Sequence, residues 1–153
     1  MNLYVIVSVL DTVPTEAFPR SNWPSHLTLL GNFYTEASES ELYSILTNTV
    51  EKTQPLLVVG ERKEMFGKNA DVPVTVLQKT VELEFLHNQL RHSFGSSVLH
   101  FETPGYIGEG YLPHVTDTAE VKMEIDEGVQ LTTISLVRLT GDTAHICSTI
   151  PLS

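Results

Sequence analysis

The chain is poor in cysteine and in basic residues, and it has no long apolar run. One cysteine, Cys147, in 153 residues closes no internal disulfide. That excludes the small disulfide scaffolds and fits a reducing, cytoplasmic setting. Nine Lys and Arg face nineteen Asp and Glu, for a formal net charge of −10. Long DNA or RNA is held by Lys and Arg that displace counterions from phosphates. This surface therefore repels a long polyanion, and any phosphate ligand is expected to be small or held locally. No stretch of about 18 apolar residues occurs, so no membrane-spanning helix is expected. The first residues carry neither a basic region nor a small-residue cleavage site, and no signal peptide is expected.

The remainder is ordinary globular material, 41% hydrophobic and 18% charged. A chain of this length buries about two thirds of its unfolded surface and needs no metal or disulfide to fold. No composition shift marks a boundary, so residues 1–153 read as a single domain.

Apolar and β-branched residues fill 2–10, with both faces covered, which predicts a central strand. Pro14, Pro19 and Pro24 mark 11–25 as a long loop, and 26–33 read as a second strand. Ser38 and Glu41 have capping-box spacing. Leu42, Ile45, Leu46, Thr49 and Val50 then recur at helical spacing, predicting a helix over 39–53 that Pro55 stops. Strands over 56–66 and 72–79 flank a turn at Gly67–Asp71. A second helix is predicted over 80–94, capped by Thr80, striped by Leu83, Leu86, Leu90 and Phe94, and ended by Gly95. Residues 101–110 read as a flexible loop, and three more strands are expected near 111–117, 129–139 and 143–150. This order predicts an α+β fold with helices outside a largely antiparallel sheet.

Two short segments resemble each other: Pro24-Ser25-His26-Leu27-Thr28-Leu29 and Leu112-Pro113-His114-Val115-Thr116-Asp117. Each reads His, apolar, Thr, with a proline just before it. Strand side chains alternate faces. His26 and Thr28 thus share one side, as do His114 and Thr116, while Leu27 and Val115 turn to the core. The pairs would face a cleft.

These motifs and their placement resemble the 2H phosphoesterase superfamily, the 2′-5′ RNA ligase-like and cyclic phosphodiesterase proteins. The stretch 72–94, with Leu86-His87 followed by Leu90, is similar to the segment before that family's second motif. The resemblance implies two pseudo-symmetric lobes around a central groove, each contributing one His-x-Thr motif. It also implies hydrolysis of a 2′,3′-cyclic phosphate, or of a 2′-5′ or 3′-5′ phosphodiester, in a small or cyclic nucleotide, with no metal and no cofactor. Some phage relatives destroy cyclic nucleotide signals of bacterial defence, and the small, acidic chain is compatible with that role. The alternative is a nucleotide-binding module of the same fold that does not turn over.

The chemistry suits these residue types. Cleaving a phosphodiester with water needs one group to take a proton and another to give one. Histidine titrates near neutral pH, so a pair can divide that work. Hydroxyl donors stabilise the charge that grows on the phosphoryl oxygens. His26 and His114 are the candidate base and acid, and Thr28 and Thr116 the candidate phosphate donors. Trp23, Tyr106 and Tyr111 are candidate stacking surfaces for a base. Arg20, Lys68 and Arg138 are weaker candidates for phosphate contact.

Asp117 departs from the family pattern, which has an apolar residue there, and cationic support nearby looks thin. His87 reads as a half-buried packing residue on the second helix, and the stretch 120–127 as solvated acidic surface. No His-Glu-x-x-His, cysteine pair, calcium loop or Walker loop is present, so no metal site is expected.

Overall fold

Strand β1 (Asn2–Val9) runs through the middle of the sheet and is buried on both faces. Leu3, Val5 and Val7 join a small apolar cluster on one side, while Tyr4 and Ile6 join the main core on the other. The alternation follows from the two-residue period of a strand. The structure, a computed structural model, describes residues 1–11, 15–118 and 122–153. Pro14 and the beginning of the acidic 120–127 stretch lie outside the described residues.

The remaining elements are β2 (Ala17–Pro19), β3 (His26–Thr35), α1 (Glu39–Val50), β4 (Leu56–Phe66), β5 (Val72–Leu77) and α2 (Val81–Phe94). They are followed by β6 (His100–Phe101), β7 (His114–Thr116), β8 (Gly128–Leu131), β9 (Thr133–Thr140) and β10 (Thr143–Pro151). The sheet order is β2-β10-β9-β1-β3-β7-β5-β4-β8, with β6 paired to β3, and every pairing is antiparallel. The α+β expectation and the largely antiparallel sheet match this architecture. The two lobes meet where β3 pairs β7. They are not halves of the sequence, because β9 and β10 return to the lobe of β1.

Both helices cover one face. Leu42, Leu46 and Val50 of α1 and Leu83, Leu86, Leu90 and Phe94 of α2 join the main core with Leu27 and Val115. Ser38 and Glu41 form the expected capping box, with Glu41 N donating to Ser38 Oγ at 3.1 Å. Thr80 Oγ1 accepts from Leu83 N at 3.2 Å and begins α2. Gly95 does not end α2 by left-handed geometry. Its φ is −51°, and the chain tightens into a 3-10 turn over Gly95–Ser97.

Three expectations differ from the structure. The loop 11–25 contains β2, which edges β10. The strand expected over 129–139 is two strands broken at Thr132. β8 pairs β4 in one lobe, and β9 pairs β1 and β10 in the other. An apolar alternation records burial but not which neighbour supplies it, so the change of partner left no mark. Residues 101–110 are not a slack loop. They hold the last residue of β6 and 3-10 turns at Pro104–Tyr106 and Gly108–Gly110, tied down by Gly108 N donating to His87 Nε2 at 2.9 Å and Lys79 Nζ donating to Glu109 O at 3.0 Å.

Candidate active site

The two motifs meet at the seam of the lobes. Leu27 of β3 pairs with Val115 of β7, antiparallel. One step out from this pair on each side, His26 lies beside Thr116 and Thr28 beside His114. Opposed residues of an antiparallel pair point to the same face, so the four side chains share the face opposite the helices. Leu27 and Val115 are 0% and 2% exposed beneath them. The two motifs are therefore related by a local twofold axis through the Leu27–Val115 pair.

Both histidines are held in the same way. His26 Nδ1 is 2.9 Å from Pro24 O, and His114 Nδ1 is 2.8 Å from Leu112 O. A carbonyl oxygen only accepts, so each Nδ1 must carry a proton and donate it. Each Nε2 is then the working nitrogen, an acceptor when neutral and a donor when charged. Among the described residues neither Nε2 has a hydrogen-bond partner, and neither do the hydroxyls of Thr28 and Thr116. In both motifs the turn before the strand aims a carbonyl back at the ring two residues later.

The surroundings differ. The Trp23 ring lies 4.3 Å from that of His26, and Phe18 meets Trp23 edge-on at 5.0 Å. Burial pushes the His26 pKa down, the Pro24 carbonyl opposes that, and charge on His114 lowers it further. On the other side Phe66, at the end of β4, meets His114 edge-on at 4.8 Å. Nothing in the sequence around Phe66 pointed to this. It reaches the site through the β4–β5 hairpin and the β5–β7 pairing.

A cavity of about 250 Å³ opens beside Thr28 and His114, lined also by Asn32, Glu102, Tyr106 and Tyr111. Three larger cavities, of about 450, 500 and 540 Å³, are lined by no histidine. The motif cavity carries a histidine of one motif and a threonine of the other in its wall. Tyr106 is 56% exposed there. Tyr111 is a wall rather than an open platform. It is buried, stacked on His87 at 3.9 Å, and donates its hydroxyl to Thr28 O at 2.8 Å.

Asp117 turns away from the groove, as alternation requires after Thr116. It is buried, paired with Lys63 Nζ at 3.1 Å, and accepts from Thr75 Oγ1 at 2.9 Å. Lys63 Nζ also donates to Met123 O. The carboxylate thus staples β7 to β4 and β5 and does not confront a phosphate. Two of the weaker cationic candidates are occupied elsewhere: Arg20 donates to Gly141 O at 3.2 Å, and Arg138 pairs with Glu39 at 3.3 Å. Lys68 lies in the exposed β4–β5 turn. Among the described residues no group of three or more His, Cys, Asp or Glu is placed to hold a metal ion, and no helix is long and apolar enough to cross a membrane.

No family model and no curated protein matches the chain. Solved structures do. A phosphoesterase structure superposes with a TM-score of 0.62 at 15% identity, over 100% of this chain and 99% of that one. E. coli LigT complexed with 3′-AMP gives 0.59 at 15% identity over 99% and 98% of the two chains, and LigT has also been solved with NADP+ and with ATP. A Thermus thermophilus structure gives 0.58 at 18% identity over 99% and 98%. End-to-end coverage at such low identity is agreement of fold, so this chain has the LigT-like fold.

Proposed function

We propose that the protein is a phosphodiesterase that opens a 2′,3′-cyclic phosphate, or cleaves a 2′-5′ or 3′-5′ linkage, in a small or cyclic nucleotide. The observation that carries this reading is the twofold pairing of two histidines. Each is fixed with Nδ1 protonated and Nε2 unpartnered, beside a threonine hydroxyl with no protein partner among the described residues.

His26 is the base, because burial and the neighbouring His114 favour its neutral form. Its Nε2 takes a proton from water as the water oxygen attacks phosphorus. The bond from phosphorus to one ribose oxygen breaks, and His114 Nε2 gives its proton to that oxygen. Thr28 and Thr116 donate to the non-bridging oxygens as their charge grows. After turnover His26 is charged and His114 neutral, and exchange with solvent restores both. Trp23 and Tyr106 offer ring faces to a base, and Tyr111 holds the Thr28 strand. The acid/base pair and the hydroxyls complete this scheme without a metal. The nucleotides bound to E. coli LigT and the acidic surface support a small nucleotide substrate.

The test is a chromatographic assay in EDTA with 2′,3′-cyclic mononucleotides, a 2′-5′ dinucleotide and cyclic oligonucleotides. His26→Ala and His114→Ala run alongside. Turnover lost by about 10²–10⁴-fold in each variant is expected. Full activity in either variant removes that histidine from the mechanism. Binding without turnover in the wild type makes the protein a nucleotide-binding module instead.

A further inference from the structure

The cavity beside Thr28 and His114 holds a carboxylate, which is an odd neighbour for a phosphate. Glu102 follows β6 and is fixed to β3 by two bonds. Its backbone N–H donates to Asn32 O at 2.8 Å, and Asn32 Nδ2 donates back to Glu102 Oε1 at 3.0 Å. Tyr34 OH reaches Glu102 Oε2 at 3.4 Å, and the Tyr34 ring is itself stacked on His100 at 4.6 Å. Both oxygens are therefore held from the protein side by neutral donors. A carboxylate has about four acceptor positions, so each oxygen keeps one for a ligand. The result is an oriented, two-pronged acceptor in the wall of a cavity with an exposed tyrosine ring, Tyr106.

Two parallel acceptors call for two parallel donors. Of the four common bases, only guanine presents adjacent N–H donors on its pairing edge, at N1 and N2. Adenine and cytosine set a donor beside an acceptor, and uracil sets one donor between two carbonyls. The cavity, about 250 Å³, is smaller than the roughly 300–1,000 Å³ of drug-sized sites. It takes one ring system, not a dinucleotide.

We propose that this cavity is a guanine-selective base subsite, read by the Glu102 carboxylate that Asn32 and Tyr34 orient, with the base against Tyr106. The proposal rests on the phosphodiesterase reading and adds the identity of the base next to the scissile phosphate. Asn32 and Tyr34 are positioning residues, and Glu102 makes the contact.

The test compares kcat/KM for the 2′,3′-cyclic phosphates of guanosine, inosine and adenosine. Inosine keeps N1–H and lacks the second donor. Wild type is expected to prefer guanosine over adenosine by about 10- to 100-fold, the range of a good bidentate contact, with inosine between. In Glu102→Gln, one prong becomes a donor and this ratio collapses toward 1. A wild type with no guanosine preference, or a preference that survives Glu102→Gln in a folded protein, overturns the proposal. Calorimetric binding of 3′-GMP and 3′-AMP to the same two proteins separates the two readings. Glu102-dependent preference for 3′-GMP without turnover of any cyclic phosphate sinks the enzyme and keeps the subsite. Equal binding of both nucleotides sinks the subsite whatever the turnover.

Discussion

The ring of Tyr111 lies flat on the ring of His87, with 3.9 Å between centroids and 2° between planes. The pair forms a small relay of fixed geometry. His87 Nδ1 donates to Leu29 O at 2.7 Å, its Nε2 accepts from Gly108 N at 2.9 Å, and Tyr111 OH donates to Thr28 O at 2.8 Å. One buried imidazole thus joins α2, the strand of the first motif and the turn before the second. Its two nitrogens have opposite duties, which only the neutral ring can perform.

That neutrality sets a pH dependence. Burial pushes the His87 pKa below 6.5, the Leu29 carbonyl opposes the shift, and Arg91 and Lys79 add to it. As pH falls through about 6.5, the unfolded chain takes a proton that the folded chain refuses, so stability falls with pH. His87→Phe keeps a ring on Tyr111 but strands Gly108 N–H and Leu29 C=O. A loss of about 2–4 kcal/mol is expected from those two groups, the carbonyl buried and the N–H half-buried. Thermal denaturation between pH 7 and pH 5 should show a shallower decline in this variant, not a flat one, because His26 titrates in the same sense. An unchanged slope would mean that His87 takes its proton in the folded state as readily as in the unfolded.

The acidic limb of kcat/KM belongs to the base of the free enzyme. As the proposed base, His26 must be neutral to accept a proton, and its pKa lies below 6.5, first through burial. The limb is therefore expected below pH 6.5. Trp23 packs against the ring at 4.3 Å. Trp23→Ala admits water and should move the limb up toward 6.5. The profile needs only a single soluble cyclic mononucleotide as substrate. A limb that stays in place would show that other neighbours desolvate His26.

The parts legible in the sequence are those set by neighbours along the chain. Ser38 with Glu41, Thr80 with Leu83, and the alternation of His26, Leu27 and Thr28 each need only a few residues of context, and each is where the pattern put it. Alternation also turned Asp117 away from Thr116. The rest depends on pairing. Phe66 reaches His114 through two strand pairings, Glu102 reaches Asn32 across 70 residues, and Lys63 reaches Asp117 across 54. His87 was readable as a packing residue from its place between Leu86 and Leu90. Its two hydrogen bonds were not, since their partners come from β3 and the 108–110 turn.

Asp117 offers a separation of stability from catalysis. Its carboxylate is buried while the Lys63 side chain is 41% exposed, so the ion pair itself is screened and contributes modestly. The larger cost of Asp117→Ala comes from Met123 N, which loses its acceptor in the interior, while Thr75 Oγ1 keeps only Met123 O. About 2 kcal/mol is expected, read as a fall in urea midpoint. At a temperature where the variant is folded, kcat should stay within about three-fold of wild type, because the lost groups face away from the motifs. A kcat loss of 10²-fold would mean that the staple also sets the position of Thr116.

Two glycines frame Tyr106 and give a matched pair of tests. Gly110 comes so near Gly105 that a Cβ at 110 would strike the Gly105 carbonyl, whereas a Cβ at 105 meets nothing within 4 Å. Gly110→Ala must therefore open the 104–110 segment and shift Tyr106 and the cavity wall, while Gly105→Ala leaves both in place. Displacements of about 1 Å at a site can cost up to 10²-fold in rate. Gly110→Ala is expected to lower kcat/KM by about ten-fold or more, mostly through KM, with Gly105→Ala near wild type. The contrast matters because both changes add the same methyl to the same 104–110 segment. Equal effects would show that the segment is freer than its anchors at His87 and Lys79 imply, and that Tyr106 finds its place only when a ligand is bound.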